Sequence, residues 1–288
     1  MTQENYYEPR YISQSNNNSV NFYFGEKNNK KTLYESIFEF DKIVLLGNPG
    51  IGKTKELENL FEVLWREHEA TGLIPFSINL KNFRPINEFK DLIKYEDWKS
   101  LSNIIFILDG LDEIAEIQDF ISAFEIFVSK NNLLNIKYVI SCRTNIYEKY
   151  LVNISNFKTF FLDNLMLDQA KSILNEKYKI NLDLISIDDK HRNYLQTPFF
   201  LNLFAEYYLK NQKPPQSDSE MWEKYIEKTI EENKSKNIKK KVINNVKLIK
   251  NLKKVAFVNE LMQKNFSTED ELDTILGENH LEFIENPF

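Results

Sequence analysis

"LLGNPGIGKT" (residues 45–54) decides how this chain is read. The 288 residues include only seven glycines, and three of them, Gly47, Gly50 and Gly52, fall within these ten positions. Glycine weakens helices and strands, so a glycine-poor chain keeps it where the backbone must do something unusual. Gly47, Gly52, Lys53 and Thr54 fit the spacing G-x-x-x-x-G-K-[ST]. "KIVLLG" (residues 42–47) before the loop is an apolar run of strand type. After it, Leu57, Leu60, Phe61, Val63 and Leu64 recur with helical spacing.

A strand, a tight loop and a helix N-terminus in that order make an anion nest, to which the helix dipole adds. The candidate phosphate-binding stretch is therefore Gly47, Asn48, Pro49, Gly50, Ile51, Gly52, Lys53, Thr54 and Lys55. Lys53 is placed to reach β- and γ-phosphates, and the Thr54 hydroxyl to ligate Mg²⁺. Such a P-loop, or Walker A motif, needs an acid to hold the metal. "IIFILDGLDE" (residues 104–113) supplies one as a Walker B motif: Asp109 ends an apolar strand, where its carboxylate emerges at the C-terminal edge of a sheet. Gly110 follows, where many related ATPases carry a catalytic glutamate; Asp112 or Glu113 is then expected to orient the attacking water. In "VISCRTN", Arg143 directly follows another strand, from which a guanidinium can read a γ-phosphate. Cys142, the only cysteine, reads as a buried small residue.

The composition excludes several classes. With 42% hydrophobic and 14% aromatic residues the chain is too apolar for a disordered protein. A formal charge of −6 gives no general reason to bind nucleic acid. One cysteine permits no disulfide framework, and His68, His191 and His280 are too scattered to suggest a zinc site. The polar N-terminus lacks the apolar core of a signal peptide, and no run is long and apolar enough to span a bilayer. The expected compartment is the cytoplasm.

Further strands are expected at residues 20–24, 73–80, 103–109, 137–142 and 157–162, with an amphipathic helix at 120–130. Strands apolar on both faces and alternating with helices predict an α/β fold with a parallel sheet covered on both sides. Beyond about residue 165 the strands stop. Helices are expected at 168–178, 188–196, 198–211, 221–234 and 238–259, with a turn at 213–217.

"LDGLDE" (residues 108–113) and "SCRT" (residues 141–144), together with the loop, resemble the NACHT branch of the STAND ATPases, signal-transducing relatives of AAA+ proteins. "YYEPR" (residues 6–10) resembles a short Pro-Arg element that precedes the loop in many bacterial members. "LQTPFFLNLF" (residues 195–204) is similar to the start of the family's helical lid, whose proline, here Pro198, touches the nucleotide base. Locally, Thr197 and Pro198 are also good residues for a helix start. "VNELMQKNFSTEDELDTIL" (residues 258–276) looks like the beginning of the winged helix that follows.

The resemblance implies an extension at 1–32, a NACHT core at 33–165, a lid at 166–234 and the start of a winged-helix region at 235–288. No histidine matches the one with which the family's winged helix contacts ADP. The chain is expected to be a piece of a longer protein or the product of a truncated gene, without the sensor domain. The function implied is a slowly hydrolysing ATP/ADP switch with Mg²⁺ that self-assembles when ATP-bound, in bacterial antiphage immunity, with a trigger the sequence does not identify. The alternatives are a motor-type AAA+ ATPase and a nucleotide-binding scaffold without turnover. The lysine-rich stretch at 234–254 reads as an amphipathic helix with a solvated face rather than a nucleic-acid or membrane contact.

Overall fold

In a computed structural model the described residues are 7–14, 30–86, 88–132, 134–150, 154, 156–182, 192, 194–217, 220–223, 225–226, 245–262 and 267–277. They divide into two compact units, Met1–Leu201 and Asn202–Phe288. The expected strand at 20–24, His191 and His280 lie outside the described residues. So do most of the expected helices at 188–196 and 221–234 and the first part of that at 238–259.

The first unit is built on six strands: β1 (Ile12–Gln14), β2 (Lys42–Leu46), β3 (Ile74–Asn79), β4 (Ile104–Asp109), β5 (Ile136–Cys142) and β6 (Lys158–Leu162). Their order is β1-β6-β2-β5-β4-β3. The five strands from β2 to β6 pair in parallel, and β1 adds antiparallel to the β6 edge. Strand β5 thus lies between the strand that feeds the Gly-rich loop and the strand that ends in Asp109.

The near-continuous apolar runs follow from cover on both faces. Alternate residues point to opposite sides. Ile43, Leu45, Ile105, Ile107 and Val139 share one buried cluster with Leu57, Leu60 and Leu64 of helix α2 (Lys53–Arg66) and with Leu33 and Ile37 of helix α1 (Leu33–Glu39). Their neighbours Val44, Leu46, Phe106, Leu108, Tyr138 and Ile140 share the opposite cluster with Phe120, Phe124 and Phe127 of helix α4 (Ile117–Lys130). A short helix α3 (His68–Thr71) lies between α2 and β3. Helix α5 (Thr144–Tyr150) follows β5 and helix α6 (Leu167–Tyr178) follows β6.

Helices α1 and α5 and strand β1 fall outside the elements expected from the sequence. Helix α1 starts on a capping box: Thr32 Oγ1 accepts the Glu35 N–H at 3.2 Å, and Glu35 Oε2 accepts the Thr32 N–H at 2.8 Å. Strand β1 spans three residues, of which only Ile12 is buried.

Helix α7 (Pro198–Asn211) begins in the first unit and runs into the second. The described part of the second unit is helical. Phe204 and Tyr208 stack along α7, and the Tyr207 hydroxyl donates to Glu220. Helix α8 (Asn245–Leu261) is followed by α9 (Glu269–Leu276), whose capping box joins Thr268 and Glu271.

Candidate functional site

The parallel register brings three strand ends to one edge. Leu46 of β2 lies opposite Cys142 of β5, and Leu108 of β4 lies opposite Ile140 of β5. The residues that follow, Gly47, Arg143 and Asp109, therefore leave the sheet on the same side. Sequence reasoning placed these three elements independently, and the fold brings them together.

The loop itself is tight. Gly50 has φ +76°, and a Cβ there would meet Phe199 Cβ at 2.7 Å. The Phe199 N–H donates to Gly50 O at 3.2 Å, so the first turn of α7 abuts the loop apex. Pro198 is close by: a Cβ at Gly52 would lie 3.6 Å from Pro198 Cγ. Asn48, Pro49 and Gly50 are exposed, and Ile51 is buried. Lys53 Nζ donates to Gly47 O at 2.7 Å and Asn48 O at 3.4 Å. Burial lowers the Lys53 pKa, Arg143 adds to the lowering, and Asp112 and Asp109 oppose it. Thr54 is exposed in the first turn of α2. Lys55 turns to Glu58 on its own helix at 3.0 Å, which leaves its backbone as its link to the loop.

Asp109 is fixed by a partner the sequence reading passed over. Ser141 Oγ donates to Asp109 Oδ1 at 2.5 Å and accepts the Gly110 N–H at 2.9 Å. Ser141 is 1% exposed, and a buried serine in an otherwise apolar strand is the signal that could have found it. Ser141→Ala is expected to cost about 1–3 kcal/mol in chemical denaturation, because the Gly110 N–H loses its acceptor. A change below about 0.5 kcal/mol, the range of inert surface substitutions, would show that the hydroxyl does not carry this junction.

Asp112 and Glu113, which the sequence leaves as equal candidates, occupy different environments. Asp112 is buried; its Oδ1 accepts the Arg143 N–H at 3.0 Å and its Oδ2 pairs with Arg143 Nε at 2.8 Å. Glu113 is exposed, beside Gly110, where an added Cβ would lie 3.3 Å from Glu113 Cδ. Gly110 itself has φ +85°, a conformation that L side chains rarely adopt. Cys142 is fully buried, and burial pushes its thiol pKa up, away from nucleophilic use.

Arg10, quoted in the sequence only within a Pro-Arg element, also belongs to the loop's surroundings. It is 6% exposed, and its Nη1 donates to Ile51 O at 3.0 Å.

The donor set fits a magnesium-bound nucleotide. It comprises a hydroxyl in the first helical turn, a carboxylate oriented by Ser141 at the neighbouring strand end, and an ammonium folded over the loop. Among the described residues no group of three or more His, Cys, Asp or Glu side chains is placed to hold a metal without such a ligand. No described helix is long and apolar enough to cross a membrane.

No protein-family model matches the chain, and no curated protein does. Among solved structures, it is similar to the ORC2 protein of Aeropyrum pernix, described as ADPNP–ADP complexes. That similarity has 10% identity, covers 63% of this chain and 60% of that one, and has a TM-score of 0.41. The chain thus spans under two thirds of that neighbour's length. It is also similar to the Aeropyrum pernix ORC1 protein in complex with DNA, with 13% identity, 84% and 77% coverage and a TM-score of 0.44. At this distance neither neighbour says what the chain binds or does. The fold is an α/β P-loop NTPase fold, with loop, acidic strand end and arginine on one edge of a mostly parallel sheet.

Proposed function

We propose that the chain is an ATP- and ADP-binding switch of the NACHT/STAND kind that hydrolyses ATP slowly. The observation that carries this is the convergence at one sheet edge of the loop with Lys53, Asp109 anchored by Ser141, and Arg143 anchored by Asp112. Gly47 to Lys55 would cradle the phosphates, with Lys53 on the β- and γ-phosphates. Thr54 and Asp109 would hold Mg²⁺, which when bound offsets charge on the phosphate oxygens. Arg143 would read the γ-phosphate. Glu113, the accessible acid of the pair, would orient water, while Asp112 positions Arg143. Pro198 would lie against the nucleotide, as the family resemblance implies.

Gly110 favours a switch over a motor. A glutamate at that position would have to adopt a φ near +85°, so the acid next to the magnesium residue is replaced by one three positions on. That is an indirect placement suited to slow turnover. By the resemblance, ATP binding would open the protein to self-assembly in the cytoplasm, in antiphage defence. Residues 33–165 would be the core and 166–234 the lid, leading into the winged-helix region at 235–288.

The test is the nucleotide that co-purifies with the 288-residue chain, released by denaturation and identified by chromatography. Stoichiometric ADP is the expected result. A nucleotide-free protein that also fails to bind added ATP or ADP with Mg²⁺ would overturn the proposal.

A further inference from the structure

Arg10 is a buried cation with no counterpart in the chemistry assigned above. Its Nη1 donates to Ile51 O at 3.0 Å, and its Nη2 donates to Asp163 O at the exit of β6. Its Nε is buried with no hydrogen-bond partner among the described residues. The same N-terminal segment also sends the Tyr7 hydroxyl to Glu56 Oε2, at 2.5 Å, in the first turn of α2. Glu56 is 4% exposed, and its charge favours the cationic form of Arg10. The segment does not hang loose. Gln169 Nε2 donates to Pro9 O at 2.5 Å, the Asp163 N–H donates to Tyr11 O at 3.0 Å, and Ile12 pairs with Leu162.

We infer that Arg10 is a positioning residue for phosphate binding: by holding the Ile51 carbonyl it aims the Gly52 N–H into the loop. This rests on the nucleotide-site reading above. The Ile51 C=O and the Gly52 N–H belong to one planar trans peptide and point in opposite directions, so fixing one fixes the other. A charge-assisted bond to the carbonyl is stronger than a neutral one and polarises the peptide, which makes its N–H a better donor. The guanidinium suits this task because its planar fork spans two carbonyls on separate elements, the loop and the end of β6. A lysine is a point charge and cannot bridge both. The attraction of the nearby Glu56 carboxylate opposes the cost that burial imposes on the guanidinium. The N-terminal strand is thereby tied to the loop that grips phosphate.

The experiment is calorimetric titration of the 288-residue chain with MgATP and, separately, with magnesium and inorganic tripolyphosphate. Wild type, Arg10→Lys, the double variant Arg10→Gln with Glu56→Gln, and Lys53→Ala are compared, with thermal unfolding of each. Arg10→Lys keeps a cation beside Glu56, and the double variant removes both buried charges, so neither leaves one unpaired. The expected result is a loss of about tenfold, the worth of one hydrogen bond to a charged group, by the same factor for both probes in both Arg10 variants. Unchanged affinities, with or without a lowered Tm, would mean a merely structural role and overturn the inference. A loss for ATP alone would place Arg10 against the base or ribose and also overturn it. If wild type binds neither probe better than Lys53→Ala, the nucleotide-site reading fails and this inference with it.

Discussion

Lys53→Ala is expected to weaken ATP and ADP binding by at least about a hundredfold, or about 2.7 kcal/mol, while the protein stays folded. The ammonium lies over the loop, within reach of the Gly47 and Asn48 carbonyls. Burial lowers its pKa, so holding it charged there costs the folded chain something. Removing it loses two hydrogen bonds to a charged group and relieves that cost. The two effects oppose each other, and the net change in stability is expected within about 1 kcal/mol. In the bound state nothing opposes the loss: a charge-assisted contact to phosphate in a part-buried loop has no substitute from water or from Lys55, which is engaged with Glu58. Isothermal titration of wild type and variant, with chemical denaturation of both, separates the two quantities. Wild-type affinity in the variant would remove Lys53 from the site. An unfolded variant would mean that the ammonium serves the loop rather than the ligand.

The sheet was legible because its signals are local. The buried parallel strands announce themselves by largely apolar runs, and the Gly-rich loop by its spacing; together they point to the strand ends that form the candidate site. What was not legible depends on partners distant in the chain. Arg10 sits in a polar N-terminal stretch whose composition gives no sign of burial, yet its guanidinium donates to the carbonyls of Ile51 and Asp163, over forty and over one hundred and fifty positions away. Strand β1 gives no alternation because three residues with one buried side chain are too few to show a period. Ser141 looks like a neutral interruption of an apolar strand until register sets it beside Asp109. Asp112 and Glu113 are adjacent and chemically alike, so no pattern could rank them. Only the turn after Gly110, which sends one inward and the other to solvent, distinguishes their places.

That difference yields the second large effect. Asp112→Ala is expected to destabilise the protein by about 2–3 kcal/mol, at or just below the lower end of what breaking a fully buried pair costs, because Arg143 keeps 31% of its side chain exposed and can partly rehydrate. The variant also removes the acceptor of the Arg143 N–H, so the start of helix α5 and the guanidinium lose their anchor together. ATP hydrolysis should fall as well, since Arg143 no longer has one orientation. Glu113→Gln is expected to behave oppositely. Its carboxylate is exposed and forms no ion pair among the described residues, so stability should change by less than about 0.5 kcal/mol. Hydrolysis should nevertheless fall by about a hundredfold, within the range for losing a general base, with ATP affinity retained. Denaturation curves and single-turnover hydrolysis on the two variants decide between the roles. A Glu113→Gln variant that hydrolyses normally, beside a stable but inactive Asp112→Asn, would reverse them. The water-orienting acid would then be the buried one, and Arg143 would be held by other contacts.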